Sequence, residues 1–283
     1  MDRTLRKKRY FIIFVLPTLI GFSFAFIAPF IMGLYLSFCE FTTVTNAKWI
    51  GIDNYLKVFQ EENFINALFF TSKFVIVSVI LINLCGFGLA LLLTRKIKGT
   101  NVFRTIFFMP NLIGGIVLGY IWQNMINFVL VKFETTLVVD ATYGFWGLIV
   151  MMNWQMIGYM MIIYIAGLSN VPTDLIEAAR IDGANPKQTL FKIKLPMVMP
   201  SITICLFLTV SNGFKLFDQN LALTGGAPSK KTAMLALDIY NTFYGRSGYE
   251  GVGQAKAVVF SLIVAVIALL QLRLTRSKEV EHE

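Results

Sequence analysis

From Tyr10 to Phe38 the chain carries no charged side chain, and five further apolar runs follow at roughly regular intervals. A helix needs about 20 consecutive apolar residues to cross a bilayer. The pattern predicts six spans, at 10–38, 69–93, 103–126, 143–168, 200–220 and 252–272. The first run is about twice the roughly 7–15 residues of a cleaved signal core, so it reads as a retained span, with Pro17 and Pro29 as expected kinks. Lys73 interrupts the second near its outer end, where its ammonium can snorkel. The third holds Pro110, Asn111 and the pair Gly115 and Gly119, a spacing that lets helices approach closely. The fold class is an all-α integral membrane protein.

Between the fourth and fifth runs, Val171–Ser201 breaks this pattern with an amphipathic, charge-bearing stretch. Pro172 suits a first helical position, Asp174 and Glu177 place acid where the helix dipole favours it, and Gly183 supplies a left-handed stop. Asn185-Pro186 is a second start signal, for a helix running to about Lys194 before Leu195-Pro196 ends it. The stretch is thus a helix, a sharp turn and a helix, a pattern shared with DNA-binding modules.

Charge placement decides against nucleic acid. The chain of 283 residues is 56% hydrophobic and 14% charged with net charge +9, and its mean hydropathy is +0.68. With the N-terminus inside, the inner segments take about 16 of the 25 basic residues, close to span ends, as the positive-inside rule requires. Both termini and the 171–196 segment then face the cytoplasm. Cys39, Cys85 and Cys205 stand alone in apolar surroundings, and His282 is the only histidine. No metal site, no Ser/His or Cys/His catalysis and no disulfide framework is indicated.

Glu177-Ala178-Ala179, then Gly183, Ile193 and Leu195-Pro196 at fixed spacing resemble the EAA signature of permease subunits in binding-protein-dependent ABC importers. The basic N-terminus, the six spans, Arg104–Pro110 and Phe217-Asp218-Gln219 leading to Leu223–Pro228 are similar to the carbohydrate branch of that family, the maltose and glycerol-phosphate class. Against the larger maltose subunit, this chain is too short for the extra spans and big outer domain. The resemblance implies a type I importer permease in a prokaryotic inner membrane. Glu177, Ala178, Ala179, Gly183, Ile193, Leu195 and Pro196 would form a coupling helix and arm meeting a cytoplasmic ATPase. Partners would be a second homologous permease, two ATPase subunits that hydrolyse ATP with Mg, and an extracellular solute-binding protein. The residues suit that role: two alanines leave a low face for packing, Glu177 offers a carboxylate, and Gly183 fixes the angle of the turn.

The chain binds no cofactor by this reading. Gly225–Thr232 approaches a phosphate-binding loop, but Lys230 stands where the second glycine is required. Polar groups inside spans must face protein or water. Asn83, Asn111, Asn124, Asn153, Gln155, Tyr159, Ser211, Asn212 and Gln219 are such groups, and amides and aromatics suit neutral polyols. Asn153, Gln155, Tyr159 and Asn212 are the expected substrate pathway, with Lys215 and Asp218 expected to share a helix face and pair. Two alternatives stay open: an ion-coupled secondary transporter or channel acting without an ATPase, and an importer of a phosphorylated polyol.

Overall fold

The computed structural model describes residues 10–95 and 98–276. Arg3, Arg6, Lys7, Lys8, Arg9, Lys96, Lys278 and His282 lie outside the described residues. Helices dominate: α1 (Phe11–Leu36), α2 (Asp53–Gln60), α3 (Glu62–Leu93), α4 (Thr100–Phe108), α5 (Gly115–Leu130) and α6 (Ala141–Ser169) precede α7 (Thr173–Ile181). Then follow α8 (Pro186–Met197), α9 (Met199–Phe214), α10 (Asp218–Leu223), α11 (Leu235–Gly245) and α12 (Glu250–Arg276). Five helices are long and apolar enough to cross a membrane, and α8 with α9, bent by 69°, makes a sixth candidate.

The described residues form two compact units, one of residues up to Glu61 with Ile239–Val259, the other of Glu62–Asp238 with Phe260 onward. In the first, the two-residue strands β1 (Cys39–Glu40) and β2 (Lys48–Trp49) pair antiparallel, Cys39 opposite Trp49. Asn54 of α2 donates to the carbonyls of Ser37 and Cys39, tying α2 to the end of α1. At Glu61, Lys256 Nζ comes within 2.6 Å of Oε2 and Arg246 pairs with Oε1. Lys256 also donates to Thr242 Oγ1 at 2.7 Å and is wholly buried.

In the second unit α6 is the core. Of its apolar window 67% is buried, against 28% for α3 and 11% for the span that starts at Gly115. Asp140 caps α6, its carboxylate accepting from Thr142 N at 2.7 Å, and that backbone bond holds its acid below the usual range. Tyr164 donates to Asn83 Oδ1 at 2.6 Å, and Asn83 donates to Thr209 Oγ1 at 3.1 Å, so one amide locks α3, α6 and α9 together. An interhelical bond in the apolar interior spares three polar groups an unpaired burial.

α1 runs as one helix past both Pro17 and Pro29. Wide five-residue π turns at Phe11–Val15 and Ser23–Ile27 directly precede the helical turns that hold Pro17 and Pro29. A proline ring clashes with the carbonyl four residues back, and a widened turn moves that carbonyl away. The same device sits at Leu190–Lys194 before Pro196. It also corrects the expected stop at Leu195-Pro196: α8 runs on to Met197 and the chain bends at Val198.

The run expected as one span at 103–126 is broken. α4 ends at Phe108, Met109–Leu112 is a tight 3-10 turn containing Pro110, and Ile113 and Gly114 are extended before α5 begins. Likewise the apolar run to 220 ends as helix at Phe214, and α10 is a separate element.

Candidate functional site

The break between α4 and α5 creates the site. Ile113 is extended (φ −82°, ψ 128°), so its carbonyl has no place in a helical ladder. Gln155 on α6 donates to that carbonyl at 3.1 Å, and its Oε1 accepts from Gln219 Nε2 of α10 at 3.0 Å. One side-chain relay thus joins a broken backbone, the core helix and α10. Gly115 makes the room: a Cβ there would stand 2.8 Å from Asp218 Cβ and 2.9 Å from the Gln219 amide carbon.

Beside this relay is a cavity of about 280 Å³, lined by Asn111, Gln155, Asn212, Lys215 and Gln219 together with Met152, Met156 and Leu216. Four amides supply donors and acceptors, two methionines give adaptable apolar contact, and one ammonium stands at the wall with no carboxylate lining it. The arrangement suits hydrogen bonding to hydroxyls on a solute, with room for one negative group. It holds no nucleophile–base pair.

Of the four expected pathway residues, Gln155 and Asn212 come together in this cavity. Asn153 is buried, donates to Ile149 O within its own helix, and leaves Oδ1 without a partner. Tyr159 lies one turn beyond Gln155 on α6, its ring 6.4 Å from that of Phe108, and neither lines the cavity. Asn111 and Gln219 complete it. Both were among the in-span polar groups read from the sequence, but neither was placed in the expected pathway. Lys215 and Asp218 do not pair among the described residues, because α9 ends at Phe214 and α10 starts at Asp218, so no helix face is shared.

The second candidate element is α7. It has no buried residue, and Leu175 and Ile181 are 47% and 87% exposed. Glu177 and Ala178 are exposed and Ala179 half-buried. Gly183 (φ +80°) ends it: Ala184 N donates to Ala179 O at 2.8 Å and Gly183 N to Arg180 O at 3.1 Å, the paired bonds of a Schellman stop. Asn185 and Gln188 then cap each other reciprocally, each bond 2.8 Å, which starts α8. Ile193, Leu195 and Pro196 lie half-buried on α8, in the arm leading to the 69° bend. Thr173, Ile176 and Arg180 line a cavity on one side of α7, while Leu175, Ala178 and Ile181 fall on the opposite side at 100° per residue.

Residues 98–280, almost two thirds of the chain, match the family described as "Binding-protein-dependent transport system inner membrane component". The chain belongs to this permease family. The permease is 45% identical over 95% of its length, and 94% of the relative's, to the probable starch degradation products transport system permease protein AmyD of Thermoanaerobacterium thermosulfurigenes. To the multiple sugar-binding transport system permease protein MsmF of Streptococcus mutans it is 31% identical, over 94% of each chain. In fold it matches a chain from the crystal structure of a bacterial ABC transporter involved in the import of alginate, with TM-score 0.83, 23% identity and coverage of 98% and 99%. The permease is therefore an all-α, multi-pass inner-membrane component of an importer. A lone ion-coupled carrier does not fit a family defined by dependence on a binding protein.

Proposed function

We propose that this permease forms half of the translocation pathway of an ATP-driven importer for a sugar or oligosaccharide, and that α7 is where a cytoplasmic ATPase subunit acts on it. The observation that carries the coupling role is α7 itself, a capped helix with no buried residue and an apolar, alanine-bearing face left open. ATP and Mg are handled by two such ATPase subunits, since the chain's one loop resembling a phosphate-binding motif lacks the required glycine. A second homologous permease completes the pathway and an external binding protein delivers the solute. Both termini and 171–196 face the cytoplasm, and 1–283 acts as one transmembrane subunit. Support for a sugar comes from the names of AmyD and MsmF and from the amide wall around Gln155 and Asn212.

A second solute class is favoured by one observation, Lys215 on that wall, which forms no ion pair among the described residues. A phosphorylated polyol would meet it, as the name of a 28% identical relative, the sn-glycerol-3-phosphate permease UgpA of Agrobacterium fabrum, suggests for that protein. The test uses the assembled transporter in proteoliposomes, with labelled malto-oligosaccharide as solute and glycerol 3-phosphate as competitor. Uptake without competition supports the neutral sugar, and competition supports the phosphorylated class. In the same vesicles Glu177→Ala and Gly183→Val should lower solute moved per ATP by about tenfold. Unchanged stoichiometry in both variants would overturn the coupling role.

A further inference from the structure

Beneath α7 lies a second cavity, about 950 Å³, bounded by the ends of α3 and α6 and by α7 and α8. Four cations stand on its wall: Arg95 after α3, Arg180 on α7, and Lys187 and Lys194 on α8. Among the described residues no carboxylate lines it. The acids of this stretch, Asp174, Glu177 and Asp182, lie off the wall, and none of the four cations forms an ion pair among the described residues. Like charges gathered around one space repel one another, so the arrangement is stable in proportion to the anion that fills it.

We infer that this cavity binds the phosphate of an anionic phospholipid headgroup. Three observations select a lipid over a soluble phosphate. The space is far larger than an inorganic phosphate needs. Leu91 and Leu168, on the last turns of two membrane-spanning helices, line it beside the cations, so an apolar route continues from the charged wall. The adjoining Leu92 is half exposed, at 50%, on the same helix end. Basic pockets at the cytoplasmic ends of spans are where anionic headgroups are bound. A headgroup there bridges α3, α7 and α8 by charge, and so ties the element that receives force to the spans that move. Membrane anionic-lipid content then sets how firmly α7 is held.

The test compares the assembled transporter with its Arg180→Gln/Lys187→Gln variant, and with Lys230→Gln/Lys231→Gln as a charge-matched control on exposed residues outside the cavity. Native mass spectrometry after purification reads retained phosphatidylglycerol. Each cation near a membrane surface contributes about 1 kcal/mol, about fivefold in affinity, so the cavity variant should bind phosphatidylglycerol about 25-fold more weakly while the control matches wild type. Equal retention by all three would overturn the site. Displacement of the lipid by inorganic phosphate at equal occupancy would overturn the lipid assignment in favour of a soluble anion. The retention measurement is independent of the solute carried. Only a second reading, loss of phosphatidylglycerol-dependent ATP hydrolysis in the cavity variant, rests on the proposed coupling.

Discussion

At the scale of single residues, the half-buried charge at Glu61 has an ionisation that bears on stability. Burial pushes its carboxyl up, but the hydrogen bond and charge of Lys256, then Arg246, outweigh this and hold it below the ordinary glutamate range. A carboxyl lowered on folding stabilises the fold above its unfolded value, about 4.3, and that stabilisation is lost as pH falls through the folded value. In detergent, the melting temperature should be flat above about pH 5 and fall at lower pH, and Glu61→Gln should remove part of that fall. At neutral pH the variant should lose about 2 kcal/mol, less than the roughly 3–5 of a fully buried pair, because Glu61 keeps 17% exposure. A wild-type melting curve for the variant at every pH would refute the assignment. None of this was legible beforehand, since Glu61, Arg246 and Lys256 are far apart in sequence. The in-span amides were legible as a class but not in their roles. Asn83 locks three helices and Gln155 satisfies a broken backbone, and both facts depend on which helix faces which.

At the scale of elements, the Gly115/Gly119 pair shows what spacing does reveal. The two glycines do pack closely, against α10: a Cβ at Gly119 would stand 2.5 Å from Ala222 Cβ, and Gln123, one turn on, donates to Leu223 O at 3.0 Å. Gly119→Leu should therefore cost about 2–3 kcal/mol by overpacking. Gly88→Ala, in the interior of α3 with nothing within 4 Å of the added carbon, should gain about 0.5–1 kcal/mol. Thermal unfolding of both in one detergent checks the contrast, and equal shifts would refute the packing role. In the helix-turn-helix at 171–201 the stop at Gly183 and the start at Asn185 were readable because capping and left-handed glycine are local chemistry, whereas Pro172 is the cap and not the first helical residue, and Pro196 does not end the second helix. The break at Pro110 was not readable, because an apolar stretch looks the same whether its backbone is helical or extended, and the relay that makes the extended form affordable comes from Gln155, 42 residues beyond Ile113.

At the scale of the whole chain, six runs of hydrophobicity were legible because a helix that crosses a bilayer satisfies its own backbone and must be apolar over about 20 residues. Which faces meet was not, since lipid tails reward apolar residues all round and interfaces depend on shape. The proposed sidedness rests on charge and is open to a direct measurement. In a cysteine-free background, an impermeant maleimide should label Ser229→Cys on intact cells and Asn185→Cys only after permeabilisation. The reverse order would invert the topology. The wide turn at Leu190–Lys194 has a bearing on how such chains vary in length. A π turn is an α-helix carrying one surplus residue, so deleting a residue there would return the arm to regular winding, and would bring back the clash that Pro196 otherwise escapes. In the descent of this chain the extra residue and the proline are therefore a linked pair of characters, and lineages should keep both or neither.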